Sequence, residues 1–112
     1  MVIDVYQQYY AAEGTFNGRE RHGADVKLTS DSEAGQIRYD VSVSFFLHDT
    51  EDDFGISYDA YFEETVYEAK GRRSSKREAG LLEHLQKTAD RLAEENGGRI
   101  LWDQPLREAR RG

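Results

Sequence analysis

The side chains best supplied for chemistry in this sequence are carboxylates. Between Asp49 and Glu68 the chain carries eight acids, Asp49, Glu51, Asp52, Asp53, Asp59, Glu63, Glu64 and Glu68, with no lysine or arginine among them. Carboxylates at this density can ligate a hard cation, work in pairs as general acid and base, or stand in for phosphates before a basic partner. Counted from Asp49, a calcium loop needs glycine at the sixth position and glutamate at the twelfth; Phe54 and Ala60 stand there instead. No pair is set apart in an apolar stretch, which acid–base work would need. A solvated hairpin tip or an acidic contact surface is what remains. Past Glu68 the charge changes sign, with Lys70, Arg72, Arg73, Lys76 and Arg77 in quick succession.

Other reactive groups are scarce. His22, His48 and His84 fall in three different elements, none at helical metal spacing from another and none beside a nucleophile motif. There is no Gly-rich phosphate loop and no nucleophile elbow. Cysteine is absent, which removes disulfides, thiolate metal sites and thiol nucleophiles. The sequence therefore implies no metal and no cofactor, and reads as a binding protein rather than an enzyme. Arg72-Arg73-Ser74-Ser75 resembles a site for basophilic kinases, but the same residues also read as a basic helix start with a capping serine.

These groups need a scaffold. A chain of 112 residues fits one domain, with a core expected over about 2–102 and a frayed basic tail over 103–112. It is polar, at 38% apolar and 33% charged, yet its aromatics and clear periodicity argue for a folded core. No apolar run is long enough for a transmembrane helix. Met1-Val2-Ile3-Asp4 lacks a basic region followed by an apolar stretch, so no secretory signal is expected and a cytoplasmic location fits. A net charge of −7 repels phosphate backbones unless the basic residues gather on one face.

Period-two alternation marks a strand over 36–48, with Ile37, Tyr39, Val41, Val43, Phe45 and Leu47 inward. A second strand runs over about 56–69, with Ile56, Tyr58, Ala60 and Phe62 inward. It loses phase after Glu63-Glu64, which suggests a bulge. The short polar loop between them makes a hairpin, with Phe45 opposite Tyr58, Val43 opposite Ala60 and Val41 opposite Phe62; a slip by two would keep the same faces. A shorter strand covers 24–30, with Ala24, Val26 and Leu28 inward, and 30–35 is a turn. Ser75-Lys76-Arg77-Glu78 reads as a capping box. Leu82, Leu85, Ala89, Leu92 and Ala93 form the apolar stripe of the helix that follows, ended by Gly97-Gly98. Ile100, Leu101 and Trp102 should then pack on the core. Val2, Val5, Tyr6, Tyr9 and Tyr10 fit helical spacing, so an N-terminal helix is the expectation, with a strand the competing reading. Asn17-Gly18 marks a turn or loop. The fold class is α+β: an antiparallel sheet of three or four strands with the C-terminal helix on one face, in α-β-β-β-α order if the N-terminus is helical.

At the helix start, Gly71-Arg-Arg-Ser-Ser75-Lys76-Arg77-Glu78-Ala79 resembles the strand-to-helix junction of the double-stranded-RNA-binding domain. That resemblance spans about residues 5–96 if the first segment is helical. It implies phosphate contacts from the basic helix start, here Lys76 and Arg77. The third basic position of the pattern is Gly80, and the loop that carries Gly-Pro-x-His in the family reads Glu33-Ala34-Gly35-Gln36. In size and composition the chain is also similar to phage-encoded anti-CRISPR and DNA-mimic inhibitors, which occupy a nucleic-acid groove on a host protein.

The expectation drawn from all this is an inhibitor or regulator that offers carboxylates to a basic protein surface, such as that of a nucleic-acid-binding protein. The contact residues would be Asp49, Glu51, Asp52, Asp53, Asp59 and Glu63, with Tyr61 and Phe46 as apolar anchors on a wet sheet face that also carries Asp25 and Asp40. A second reading uses Arg72, Arg73, Lys76 and Arg77 to bind nucleic acid, and a third is a small enzyme or enzyme subunit using His48 or His84. No membrane partner is implied. Long hairpins and exposed edges leave a homodimer open.

Overall fold

The structure is a computed structural model that describes residues 1–16, 18–46 and 60–103. The chain forms β1 (Val2–Phe16), β2 (Arg19–Glu33), β3 (Gln36–Phe46), β4 (Tyr61–Lys70), α1 (Ser75–Glu95) and β5 (Gly98–Ile100). The first four strands are an antiparallel meander, and β5 returns to pair with β1, giving the order β4-β3-β2-β1-β5. Helix α1 crosses from the β4 edge to the β5 edge over one face. The class is α+β with a C-terminal helix, as the sequence implies, but with five strands and no N-terminal helix; the order is β-β-β-β-α-β.

The N-terminal correction has a local cause. Strand β1 shifts register against β2 between Asp4 and Tyr6, so Val5 is an extra residue, and again between Ala11 and Gly14. The first bulge lets the consecutive residues Val5 and Tyr6 both bury, at 3% and 2% exposure. That doublet, with Tyr10 one turn's spacing later, imitates a helical stripe while belonging to a strand. Strand β2 is also longer than its apolar run suggests. It reaches Glu33, where the two-residue turn Ala34–Gly35 has positive φ at both positions (52° and 78°), as a type I′ hairpin requires. At its other end Phe16 opposes Arg19 beside Gly18 (φ 74°).

Strands β3 and β4 pair antiparallel with Val43 opposite Phe62 and Val41 opposite Glu64. This is a slip of two from the expected register on the same face, and it leaves Ala60 beyond the ladder. The expected partners Leu47, Ile56 and Tyr58 lie outside the described residues. The loss of phase after Glu64 is real: register shifts between Tyr39 and Asp40, making Val66 the extra residue of β4.

The core lies between the sheet and α1. Leu82, Leu85, Ala89, Leu92 and Ala93 bury against Ala24, Val26, Leu28, Val41, Val43 and Phe45. At one end the sheet curls so that Phe16 of β1 meets Phe62 of β4, ring centroids 5.6 Å apart, although β2 and β3 lie between them. Gly14 and Gly98 sit under these rings. A Cβ on Gly98 would stand 2.9 Å from Phe16 and 3.0 Å from Phe45, and one on Gly14 3.0 Å from the Gly98 Cα, so glycine permits β5 to close on β1. Trp102 then packs edge-on against Tyr10 (4.7 Å) and donates its indole N–H to Asp90 (2.6 Å), while Leu101, expected on the core, is 40% exposed.

The helix start also differs from expectation by one residue. Ser74 is the N-cap, and its hydroxyl accepts from the Arg77 amide at 3.2 Å. Glu78 consequently falls one position too late to close a capping box and turns to the sheet instead.

Candidate functional site

The face of the sheet away from α1 is where the sequence places its carboxylates and anchors. Its centre is buried, which corrects the expectation of a wet acidic face. Asp25 and Asp40 are each 4% exposed, Ser42 4%, Ser44 6% and Phe46 1%. Phe46 therefore cannot anchor a partner. It lies opposite Gly23, whose missing side chain lets Tyr9 of β1 reach across β2 and meet the Phe46 ring edge-on at 6.0 Å. A glycine inside a strand is the sequence signal for such a close approach, and Gly23 carried it.

Each buried carboxylate has its own partners. Gln7 donates to both Asp25 oxygens, at 3.1 and 3.2 Å, and the Lys27 ammonium lies 3.9 Å away. Burial nonetheless pushes the Asp25 carboxyl above the usual carboxylate range, with the Gln7 hydrogen bond acting the other way. Asp40 accepts from the Thr65 hydroxyl (2.7 Å) and the Arg38 Nε (3.1 Å), and Arg38 also reaches Asp31 (3.3 Å). Asp25 opposes Ser44, which stands four residues from Asp40 along β3, so the two acids are about 13 Å apart by strand rise. That separation is too wide for a cooperating carboxylate pair. Among the described residues no cluster of three or more His, Asp or Glu is arranged to hold a metal.

The exposed part of this face is at β4. Tyr61 is 39% exposed, and its hydroxyl donates to Glu63 at 2.7 Å. Partial burial, and then this bond to a carboxylate, push the Tyr61 phenol up to about 12, so it stays a neutral donor. Glu63, Thr65 and Glu68 are exposed on the same strand. Glu64, on the helix side, is held by Arg91 of α1. Of the predicted contact residues, the structure thus brings Tyr61 and Glu63 together on one exposed strand and removes Phe46. Asp49, Glu51, Asp52, Asp53 and Asp59 lie outside the described residues, as does His48; His22 and His84 are exposed.

The basic helix start is partly committed to the fold. Arg73 makes two hydrogen bonds to Glu78, at 2.9 and 3.0 Å, and the Tyr39 hydroxyl donates to the same carboxylate at 2.8 Å. The Arg73 bond, with help from Tyr39 and against burial, holds Glu78 below its usual range. Arg77 stacks its guanidinium 4.2 Å from the centre of the Tyr67 ring. Arg72 and Lys76 are exposed. Nothing in the sequence pairs Tyr39 with Glu78, 39 positions apart; only the fold does.

Fold and surface together define an α+β protein with a five-stranded antiparallel sheet, a crossover helix and an acid-bearing edge strand. No protein family, curated protein or solved structure matches the chain.

Proposed function

We propose that the protein is a small acidic protein-binding module, an inhibitor or regulator that holds carboxylates where a basic partner would otherwise meet phosphates. One observation carries the reading: Tyr61 and Glu63 stand hydrogen-bonded and exposed on a strand anchored in the sheet. In sequence they directly follow Asp49, Glu51, Asp52, Asp53 and Asp59. A rigid strand presents charge at low entropic cost, and an aromatic beside it supplies contact area. The partner is a basic protein surface, such as that of a nucleic-acid-binding protein in the same cytoplasm, and the module performs no reaction on it. Replacing Asp49, Glu51, Asp52 and Asp53 by lysine should abolish capture of the partner from a native-host lysate, identified by mass spectrometry, without shifting the unfolding midpoint. Undiminished capture by that variant would remove the proposal. Capture by the wild type should also weaken as salt is added.

A second reading, in which the basic helix start grips duplex RNA, draws on the exposure of Arg72 and Lys76. Its test is a gel shift at about 50 mM salt, where phosphate contacts are strong. The engagement of Arg73 with Glu78 and of Arg77 with Tyr67 makes it the weaker of the two.

A further inference from the structure

Strand β4 ends the sheet, and among the described residues no strand lies beyond it. An edge of this kind leaves every second set of backbone N–H and C=O groups without a ladder partner, ready to pair with another chain. Natural edges are guarded, and β4 has two guards. One is the bulge at Val66, which confines a regular run to Tyr61–Thr65, about 13 Å of strand. The other is charge: Glu63, Glu64 and Glu68, with no cation before Lys70. A lysine on an edge repels incoming strands that carry cations. Glutamate reverses the sign. It repels strands that carry carboxylates, a second copy's β4 among them, and attracts one that carries cations.

The two sides of the edge ask for different residues. Tyr61, Glu63 and Thr65 face away from the helix, whereas Phe62, Val66 and Tyr67 are half-buried hydrophobics packed against the core. Side chains of a strand added alongside would alternate between these surroundings. We infer that β4 accepts, along Tyr61–Thr65, an extended segment in which lysine or arginine alternates with apolar residues. Cations lie beside Glu63, and apolar side chains cover the remaining surface of Phe62. The Tyr61 hydroxyl fixes the Glu63 carboxylate on the outward side, and Arg91 already occupies Glu64 on the other. This rests on the acidic-module reading and specifies how its basic partner docks: through an extended segment that joins the sheet.

The probe is a blocked heptapeptide alternating lysine and valine, compared with the same peptide N-methylated at every backbone nitrogen. Both are titrated into the full chain at low salt and followed by amide spectra and hydrogen exchange. The unmodified peptide should bind and protect amides within 61–65. The N-methylated one should bind at least about tenfold more weakly, since it cannot donate to the edge. Glu63→Lys should weaken the unmodified peptide by roughly fivefold or more, because a like charge replaces an opposite one across the pair. Equal binding of both peptides would reduce the effect to charge attraction and overturn the inference. So would protection confined to other elements, or protection of 61–65 in the free protein through self-association. The acidic-module reading fails on a different result, unchanged partner capture by the lysine variant of residues 49–53, so the two can be lost separately.

Discussion

The Glu78 carboxylate receives Arg73 through both oxygens and the Tyr39 hydroxyl as well, so the linker before α1, the helix and the middle of the sheet meet at one charge. Replacing it by the neutral amide of glutamine takes the anion from the Arg73 guanidinium and leaves one oxygen to accept where two now serve three donor contacts. Glu78→Gln should cost about 2 kcal/mol at neutral pH, read from urea midpoints. Its folded carboxyl lies below the unfolded value, so its contribution is present above the unfolded range and is lost as pH falls through the folded one. The gap between variant and wild type should therefore narrow towards about pH 3; a constant gap would show that shape, not charge, matters there. Asp25 carries the opposite sign. Burial raises its folded carboxyl above the unfolded value, so the fold is favoured when the group is protonated and loses that advantage as pH rises through the folded range. Asp25→Asn should accordingly raise the melting midpoint at about pH 7 and leave it unchanged near pH 3. A lower midpoint at neutral pH would mean that the contacts from Gln7 and Lys27 outweigh the cost of burial.

At the scale of elements, the position of the N-cap is the sharpest check on α1. Ser74→Ala should cost about 1 kcal/mol and Ser75→Ala only a few tenths, measured by chemical denaturation. The reverse order would restore the capping box that the sequence suggests. The adjacent serines make the ambiguity: either can cap, and only the destination of Glu78, a sheet residue far off in sequence, decides between them. β3 and the helix stripe were legible because one period runs through each without interruption. β1 was not, because its bulge at Val5 buries two neighbours and counterfeits a helical spacing. The burial of the acidic face is illegible in the sequence for a related reason. Alternation tells which way Asp25, Asp40 and Phe46 point, but not that Gln7, Thr65 and Tyr9 reach over from other strands, and Arg38 from two residues back along β3, to enclose them. Tyr61 and Glu63, outward by the same alternation, keep their exposure because β4 has a neighbour on one side only. The curl itself depends on Gly14 and Gly98. Gly98→Ala should destabilise by about 1–3 kcal/mol through overpacking against Phe16 and Phe45, with the loss of Trp102 fluorescence burial preceding global unfolding.

For the whole molecule, most of the architecture consists of pairings between distant parts of the chain. Glu13 and Arg99, joined across β1 and β5, are 86 positions apart. Such topologies close large loops before any contact rewards them, so refolding in stopped-flow should take milliseconds to seconds rather than microseconds. A microsecond phase accounting for the full amplitude would contradict this. The same closure bears on how the protein is made. As the polypeptide leaves the ribosome, the rim of β1 around Ala12–Gly14 must wait for Gly98–Ile100, synthesised some 86 residues later, before it is covered. A chain stalled ahead of that point would carry an open margin at each side of its sheet. Chaperones and proteases would recognise it as unfinished while most of its strands were already in place.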